Sequence, residues 1–277
     1  MKSLRIAGRA SKLALIQTDI VRRLLEDVRP DIEFSIVKIT TKGDRDKSDF
    51  LYQAESRGLF TSEVENALLD GRADIAVHSF KDLPTLPRDG LIIAAVPKRD
   101  SAADALVSKD KVTSFEQLPT GSKVGTSSLR RIAQIKLIRD DIECVPLRGN
   151  VETRVKKVAE GKVDAIVIAC AGLNRLGLSD RISAVLPPKE FIPAPAQGAL
   201  AVQIRSNDKE LAELVRKIDD KNSRIAVETE RCVLEAIHGG CSVPLGVYSQ
   251  IEGQTITTDA ILCDIDGKNF VKRSITS

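Results

Sequence analysis

The stretch Gly71-Arg72-Ala73-Asp74-Ile75-Ala76-Val77 recurs in pattern as Gly161-Lys162-Val163-Asp164-Ala165-Ile166-Val167. Each copy joins a turn glycine to an acid and a short apolar run, which predicts a buried strand entered from a helix. A second echo sets Ile6-Ala7-Gly8-Arg9-Ala10-Ser11 against Val124-Gly125-Thr126-Ser127-Ser128. Strands alternating with helices on this scale predict parallel α/β units, and their repetition predicts two similar domains facing across a cleft.

The rest of the chain fits this frame. Leu13, Ile16, Ile20 and Leu24 recur at helical spacing behind Ser11, a candidate N-cap. Residues 32–40 alternate as a strand, and the polar segment 41–57 is long enough to be a lid or binding loop. A helix is expected from Gly58 with Val64, Leu68 and Leu69 on its apolar side, then a strand over 91–96. Pro97-Lys98-Arg99-Asp100 reads as the crossing into the second unit. That unit has strands over 122–125, 142–147 and 163–169, and helices at 129–137 and 151–160. Pro193, Pro195, Gln197 and Gly198 read as a hinge back to a strand at 199–204 and a helix at 209–218. A helix over 225–237 and alternating segments at 247–251 and 255–264 predict a small third domain with an antiparallel sheet. The expected domains are therefore 1–97 with 198–218, then 98–197, then 219–277.

Composition excludes several classes of function. Hydrophobic residues make up 42% of the 277 and charged residues 29%, the balance of a soluble globular protein. No apolar run approaches the ~20 residues of a membrane span. Leu4-Arg5-Ile6-Ala7 follows the start without a signal-like h-region, so a cytoplasmic protein is expected. A net charge of +3 and 3% aromatics leave little for binding nucleic acid. The five cysteines contain no C-x-x-C pair, so neither a disulfide framework nor a metal site is expected. Cys144, Cys170 and Cys263 read as buried hydrophobes. Cys241, in Gly239-Gly240-Cys241-Ser242-Val243-Pro244, reads as a loop thiol suited to covalent attachment.

Polar chemistry collects at the C-terminal ends of the expected strands, where open α/β sheets place their ligands. One end carries Arg9 and another Ser79, Lys81 and Asp82. A third carries Thr126, Ser127 and Ser128 with Arg130 and Arg131, and a fourth Arg148-Gly149-Asn150 with Arg154. Helix N-termini and arginine forks both favour anions, so the implied ligand is a small polyanion. A lone arginine would be read as a surface or ion-pairing residue; the repetition carries the argument. Asp82 is the acid at this basic mouth, suited to general acid–base work or to stabilising a cation. His78 reads as a packed strand-end residue.

Taken together these stretches resemble the hydroxymethylbilane synthase (porphobilinogen deaminase) family. The matching motifs are Arg72–Ser79 with Lys81-Asp82-Leu83-Pro84, Val124–Arg131, Leu147-Arg148-Gly149-Asn150-Val151, and Ala171-Gly172-Leu173 with Arg175-Leu176-Gly177. Pro195–Ala199 and Gly239-Gly240-Cys241 with Val243-Pro244 complete the set, in family order over nearly the whole chain. The resemblance implies two periplasmic-binding-protein-like domains and a small α+β third domain. It implies head-to-tail condensation of four porphobilinogen molecules with release of ammonia, on a dipyrromethane primer tethered through Cys241. No metal is implied, and the working form is expected to be a monomer.

By the same match Asp82 and Lys81 are catalytic. Arg9, Lys81, Arg130, Arg131, Arg148 and Arg154 grip carboxylates of cofactor and substrate, as do Arg57 and Arg175 for the substrate. Ser79, Thr126, Ser127, Ser128, Gly149 and Gln197 add hydrogen bonds. Gln53 and Arg57 stand where the family usually has lysines, with Glu55 where a small residue is common. The chain also ends at Ser277 in a strand-like segment, so a final helix of the third domain is expected to be missing. Two rivals are a two-domain binding receptor and a Cys-His acyltransferase or hydrolase using Cys241 and His238; the resemblance favours the synthase over both.

Overall fold

The computed structural model describes residues 2–41, 61–237 and 243–277. Chain contacts gather into two compact units, one of residues 1–99 with 199–225 and the other of 100–198 with 226–277.

The first unit opens with β1 (Ser3–Arg9), α1 (Lys12–Val28) and β2 (Glu33–Ile39), then α2 (Ser62–Leu69), β3 (Ile75–Ser79) and β4 (Leu91–Ala95). Ser11 caps α1 as its position predicts, its Oγ accepting the Ala14 N–H at 3.4 Å. Val64 and Leu68 of α2 are fully buried, whereas Leu69 is an exposed residue and leaves the apolar side expected for it. The second unit begins with β5 (Asp104–Ser108) and β6 (Lys123–Gly125), followed by α3 (Leu129–Ile138), β7 (Glu143–Val145) and α4 (Val151–Ala159). It continues with β8 (Ala165–Ala169), α5 (Cys170–Arg175) and β9 (Ala184–Leu186). The chain then returns to the first unit as β10 (Leu200–Arg205), α6 (Lys209–Arg216) and the start of α7 (Lys221–Ala236). It closes with β11 (Leu245–Glu252), β12 (Thr255–Cys263) and β13 (Phe270–Thr276).

The repeat survives as one sheet order used twice: β2-β1-β3-β10-β4 in the first unit and β7-β6-β8-β5-β9 in the second. Both sheets are mixed rather than parallel as expected. β10 runs antiparallel to β3 and β4, and β5 runs antiparallel to β8 and β9. The reversed strand in each sheet is the one that brings the chain into that unit from the other, so it enters from the opposite end. Two similar α/β domains and a three-stranded antiparallel sheet, β11-β12-β13, are thus observed.

The repeated residues have one structural task in both copies. Gly71 and Gly161 each sit at φ +69°, a left-handed helix exit that a side chain disfavours. Asp74 accepts the Arg5 N–H at 2.9 Å, and Asp164 accepts the Lys123 N–H at 2.7 Å. Each acid thereby ties the start of its strand to the neighbouring strand. Gly8 is demanded by packing: a Cβ there would lie 2.0 Å from Thr18 Oγ1 on α1.

Cores form on both faces of each sheet. Ile6, Ile75 and Val202 pack with Val21 and Leu25 of α1 and with Leu211 and Val215 of α6, while Ala7 and Ala76 pack with Val64 and Leu68 of α2. In the second unit Ile166, Ile168 and Leu173 fill one face, and Leu106, Val124, Ile135 and Phe191 the other. Cys170 and Cys263 are buried, and burial raises both thiols to about 11; Cys144 is only half-buried. Among the described residues no helix is long and apolar enough to cross a membrane, and no cluster of three metal-ligating side chains occurs.

Candidate active site

In the first unit the end of β3 leads straight into a helical turn, Phe80–Asp82. The aromatic ring of Phe80 is buried and anchors the turn, which leaves Lys81 and Asp82 half-buried at its rim. Arg9, Gln17, Thr61, His78, Ser79 and Asp82 line one pocket with Ala14 and Val77. The structure thus brings Arg9, Ser79 and Asp82 together; Lys81 is not part of the pocket wall. Gln17 on α1 donates to Ser79 Oγ at 3.0 Å and fixes that hydroxyl.

Behind the pocket a polar chain runs through the sheet. His78 Nε2 lies 3.2 Å from Gln203 Oε1, and Gln203 Nε2 donates to Glu65 Oε1 at 3.0 Å. Arg88 closes the chain 3.7 Å from Glu65. Burial brings the His78 imidazole down to about 4; the Gln203 bond opposes that and the charge of Arg9 adds to it. His78 is therefore a neutral, packed residue at neutral pH, as its strand-end position predicts.

In the second unit two strand ends are laced together. Thr126 N–H donates to Val145 O at 2.9 Å, and Ser127 Oγ accepts the Leu147 N–H at 3.1 Å. Thr126 Oγ1 takes the Ser128 N–H at 3.3 Å. The Ser127 hydroxyl is thus committed to backbone, where it joins the 126–128 turn to the one holding Arg148 and Gly149. Asn150 caps α4 by accepting the Thr153 N–H at 2.9 Å, and Arg154 Nε donates to Gly149 O at 2.8 Å. Burial, then the like charges of Arg131 and Arg148, bring the Arg154 guanidinium down to about 10. Positive charge is concentrated here against its own repulsion, the electrostatic mark of an anion site.

Four residues expected to touch ligand prove to be bonded inside the protein. Arg130 and Arg131 both pair with Asp104, at 2.8 and 2.6 Å, and all three are buried. Arg130 also donates to Ile192 O at 2.9 Å and lies 5.8 Å from the Phe191 ring centre. Gln197 Nε2 donates to Asp104 Oδ1 at 2.9 Å and to Ala102 O at 2.8 Å. Arg175 donates to Gly198 O at 2.6 Å and sits 3.4 Å from Asp100. These side chains hold the framework because each found a carboxylate or carbonyl distant in sequence. Burial pushes the Asp104 carboxyl up, but the two guanidinium groups outweigh it and hold it well below the usual range.

Asp104 is the residue that sequence reasoning missed. Its signal was an isolated acid within the apolar run Ala102-Ala103-Asp104-Ala105-Leu106. Gln17 and Thr61 were missed as pocket residues because their helical context is unremarkable. Gln53, Glu55, Arg57, His238 and Cys241 lie outside the described residues.

Fold and site together define a duplicated α/β protein with basic and hydroxyl groups at its strand ends and an acid in one pocket. Residues 4–213 match the family model "Porphobilinogen deaminase, dipyromethane cofactor binding domain", and residues 224–277 match "Porphobilinogen deaminase, C-terminal domain". The porphobilinogen deaminase of Maridesulfovibrio salexigens is 44% identical over 100% of this chain and 89% of its own length. That of Brevibacillus brevis is 44% identical over 98% of this chain and 88% of its own length. Among solved structures, the methionine binding protein MetQ aligns with 86% of this chain and 96% of its own, at 13% identity and a TM-score of 0.48. The chain belongs to the porphobilinogen deaminase family.

Proposed function

We infer that the protein is a hydroxymethylbilane synthase: it condenses four porphobilinogen molecules head-to-tail with release of ammonia, in tetrapyrrole biosynthesis. The match of residues 4–213 and 224–277 to the porphobilinogen deaminase family carries the reading, and the grouping of Arg154 with Arg131 and Arg148 supports it. Each pyrrole of the substrate bears an acetate and a propionate, and such a cluster suits carboxylates.

The residues present fit a dipyrromethane for the same reason, and the buried Nε of Arg130, without an acceptor among the described residues, adds an unused donor. When bound through Cys241, that group supplies the primer on which the chain grows. Arg148 and Arg154 orient carboxylates from the N-terminal end of α4, where the helix dipole adds to the attraction. Arg9 takes a carboxylate in the pocket of the first unit, beside the Ser79 hydroxyl that Gln17 holds in place.

Asp82 has the catalytic part. As the acid on the pocket wall it stabilises positive charge developing on the substrate when ammonia leaves, and accepts hydrogen bonds from pyrrole nitrogens. Lys81 adds a cation beside it. Thr126, Ser127 and Ser128 shape the turn facing the arginines, with Gly149 leaving room for close approach. On this reading the domains are 1–97 with 198–218, 98–197, and the cysteine-bearing 219–277. The protein works as a cytoplasmic monomer on a small molecule, without nucleic acid, membrane or metal.

Intact-mass measurement tests the assignment. Protein from a cofactor-competent host should carry a covalent two-pyrrole adduct that Cys241→Ser removes. An unmodified parent chain refutes the tether, and an adduct that persists in the variant moves it elsewhere.

A further inference from the structure

Glu230 stands on α7 with no exposed surface, and both its carboxylate oxygens are in use. Oε2 accepts the Ala196 N–H at 2.6 Å, and Oε1 accepts the Ser249 N–H of β11 at 2.8 Å. Ala196 lies at φ +59°, a left-handed conformation that a Cβ disfavours and that must be held from outside. The next residue is Gln197, whose amide donates to Asp104 Oδ1 at 2.9 Å and accepts from Arg131 Nη2 at 3.4 Å. Asp104 in turn grips Arg130 and Arg131.

We propose that Glu230 is a positioning residue for substrate binding. It holds Ala196 in the left-handed turn, which aims Gln197 at Asp104 and so sets where the two arginines stand. Only a carboxylate suits this place. The Ala196 and Ser249 groups are both N–H donors, and the amide of a glutamine would turn its own NH2 toward one of them. Arg131, held by Asp104 and Gln197, contributes with Arg148 to the positive field that acts on Arg154, so a displaced turn alters carboxylate affinity without touching the reacting atoms. The role rests on the reading of this arginine cluster as a carboxylate site.

The test compares holoenzymes carrying Glu230→Gln, Gln197→Ala and both, with the KM for porphobilinogen, kcat and the thermal midpoint as readouts. Glu230→Gln should raise KM about tenfold while kcat stays within about twofold. The double variant should show no larger KM than the worse single, because both act through one path. A lowered midpoint with unchanged KM overturns the proposal, and so do single effects that multiply in the double. If Gln197→Ala raises KM and Glu230→Gln does not, the positioning role alone fails. If Gln197→Ala leaves KM unchanged, the carboxylate reading of the cluster fails, and the role with it. Where Glu230→Gln does not fold, Ala196→Gly in that background removes the positive-φ strain. KM should then still be raised, and a KM equal to the parent's overturns the proposal.

Discussion

Asp104→Asn tests most directly how the second unit holds its arginines. The carboxylate is fully buried between Arg130 at 2.8 Å and Arg131 at 2.6 Å, and Gln197 donates to it as well. Removing one member of a buried ion pair typically costs about 3–5 kcal/mol, because the remaining charge is left buried and uncompensated. Here two like charges would be left, while the amide keeps one acceptor oxygen and nearly the same shape. The lower end of the range, about 3 kcal/mol, is therefore expected, a fall of about 6–12 °C in midpoint for a protein of this size. Thermal unfolding followed by circular dichroism measures it. Inorganic phosphate should recover more of the midpoint in the variant than in the parent, since it can pair the released guanidinium groups. The sign with pH follows from the depressed carboxyl. Its stabilisation is present above the unfolded value of about 3.9 and is lost as pH falls toward the folded one, so parent and variant should converge in acid. A variant within about 2 °C of the parent at neutral pH would refute the reasoning, because such a loss is under about 1 kcal/mol.

Asp82→Asn should lower porphobilinogen turnover by about 10²-fold or more with the midpoint unchanged, since Asp82 is half-buried at a pocket rim. Turnover at the parent rate would remove Asp82 from the chemistry. His78, neutral in the fold with its value near 4, must charge on unfolding below about 6.5. The unfolded chain binds the extra proton between those values, so stability should fall as pH drops from 6.5 toward 4. The gap of 2.5 at 1.36 kcal/mol per pH unit gives about 3 kcal/mol. Denaturant titrations of His78→Gln and parent across that range should show a shallower slope for the variant; equal slopes would contradict the buried neutral imidazole.

Much of the candidate site was legible because its residues sit at strand ends. There a period-2 apolar run stops and a glycine or hydroxyl turn begins, so position and chemistry are written within a few residues. Arg9, Ser79 and Asp82 were found that way and do line one pocket. Whether an arginine at such an end meets solvent or a buried acid is not local information. Arg148 and Arg154 remain at the mouth of α4, whereas Arg130 and Arg131 are drawn inward by an acid whose own segment shows only an isolated charge.

The sequence by itself determined the duplication, the βα units, the acid at the end of β3 and the family motifs, because each depends on periodicity and turn chemistry over short spans. Tertiary structure alone decided that β5 and β10 insert antiparallel, which follows from the chain crossing between units rather than from any property of those strands. It alone decided that Asp104 and Gln197, 93 residues apart, share one hydrogen bond behind the arginines. It alone placed Glu230 beneath the left-handed turn at Ala196. Burying charge is tolerable only when partners converge from distant segments, and that convergence exists only in the folded chain.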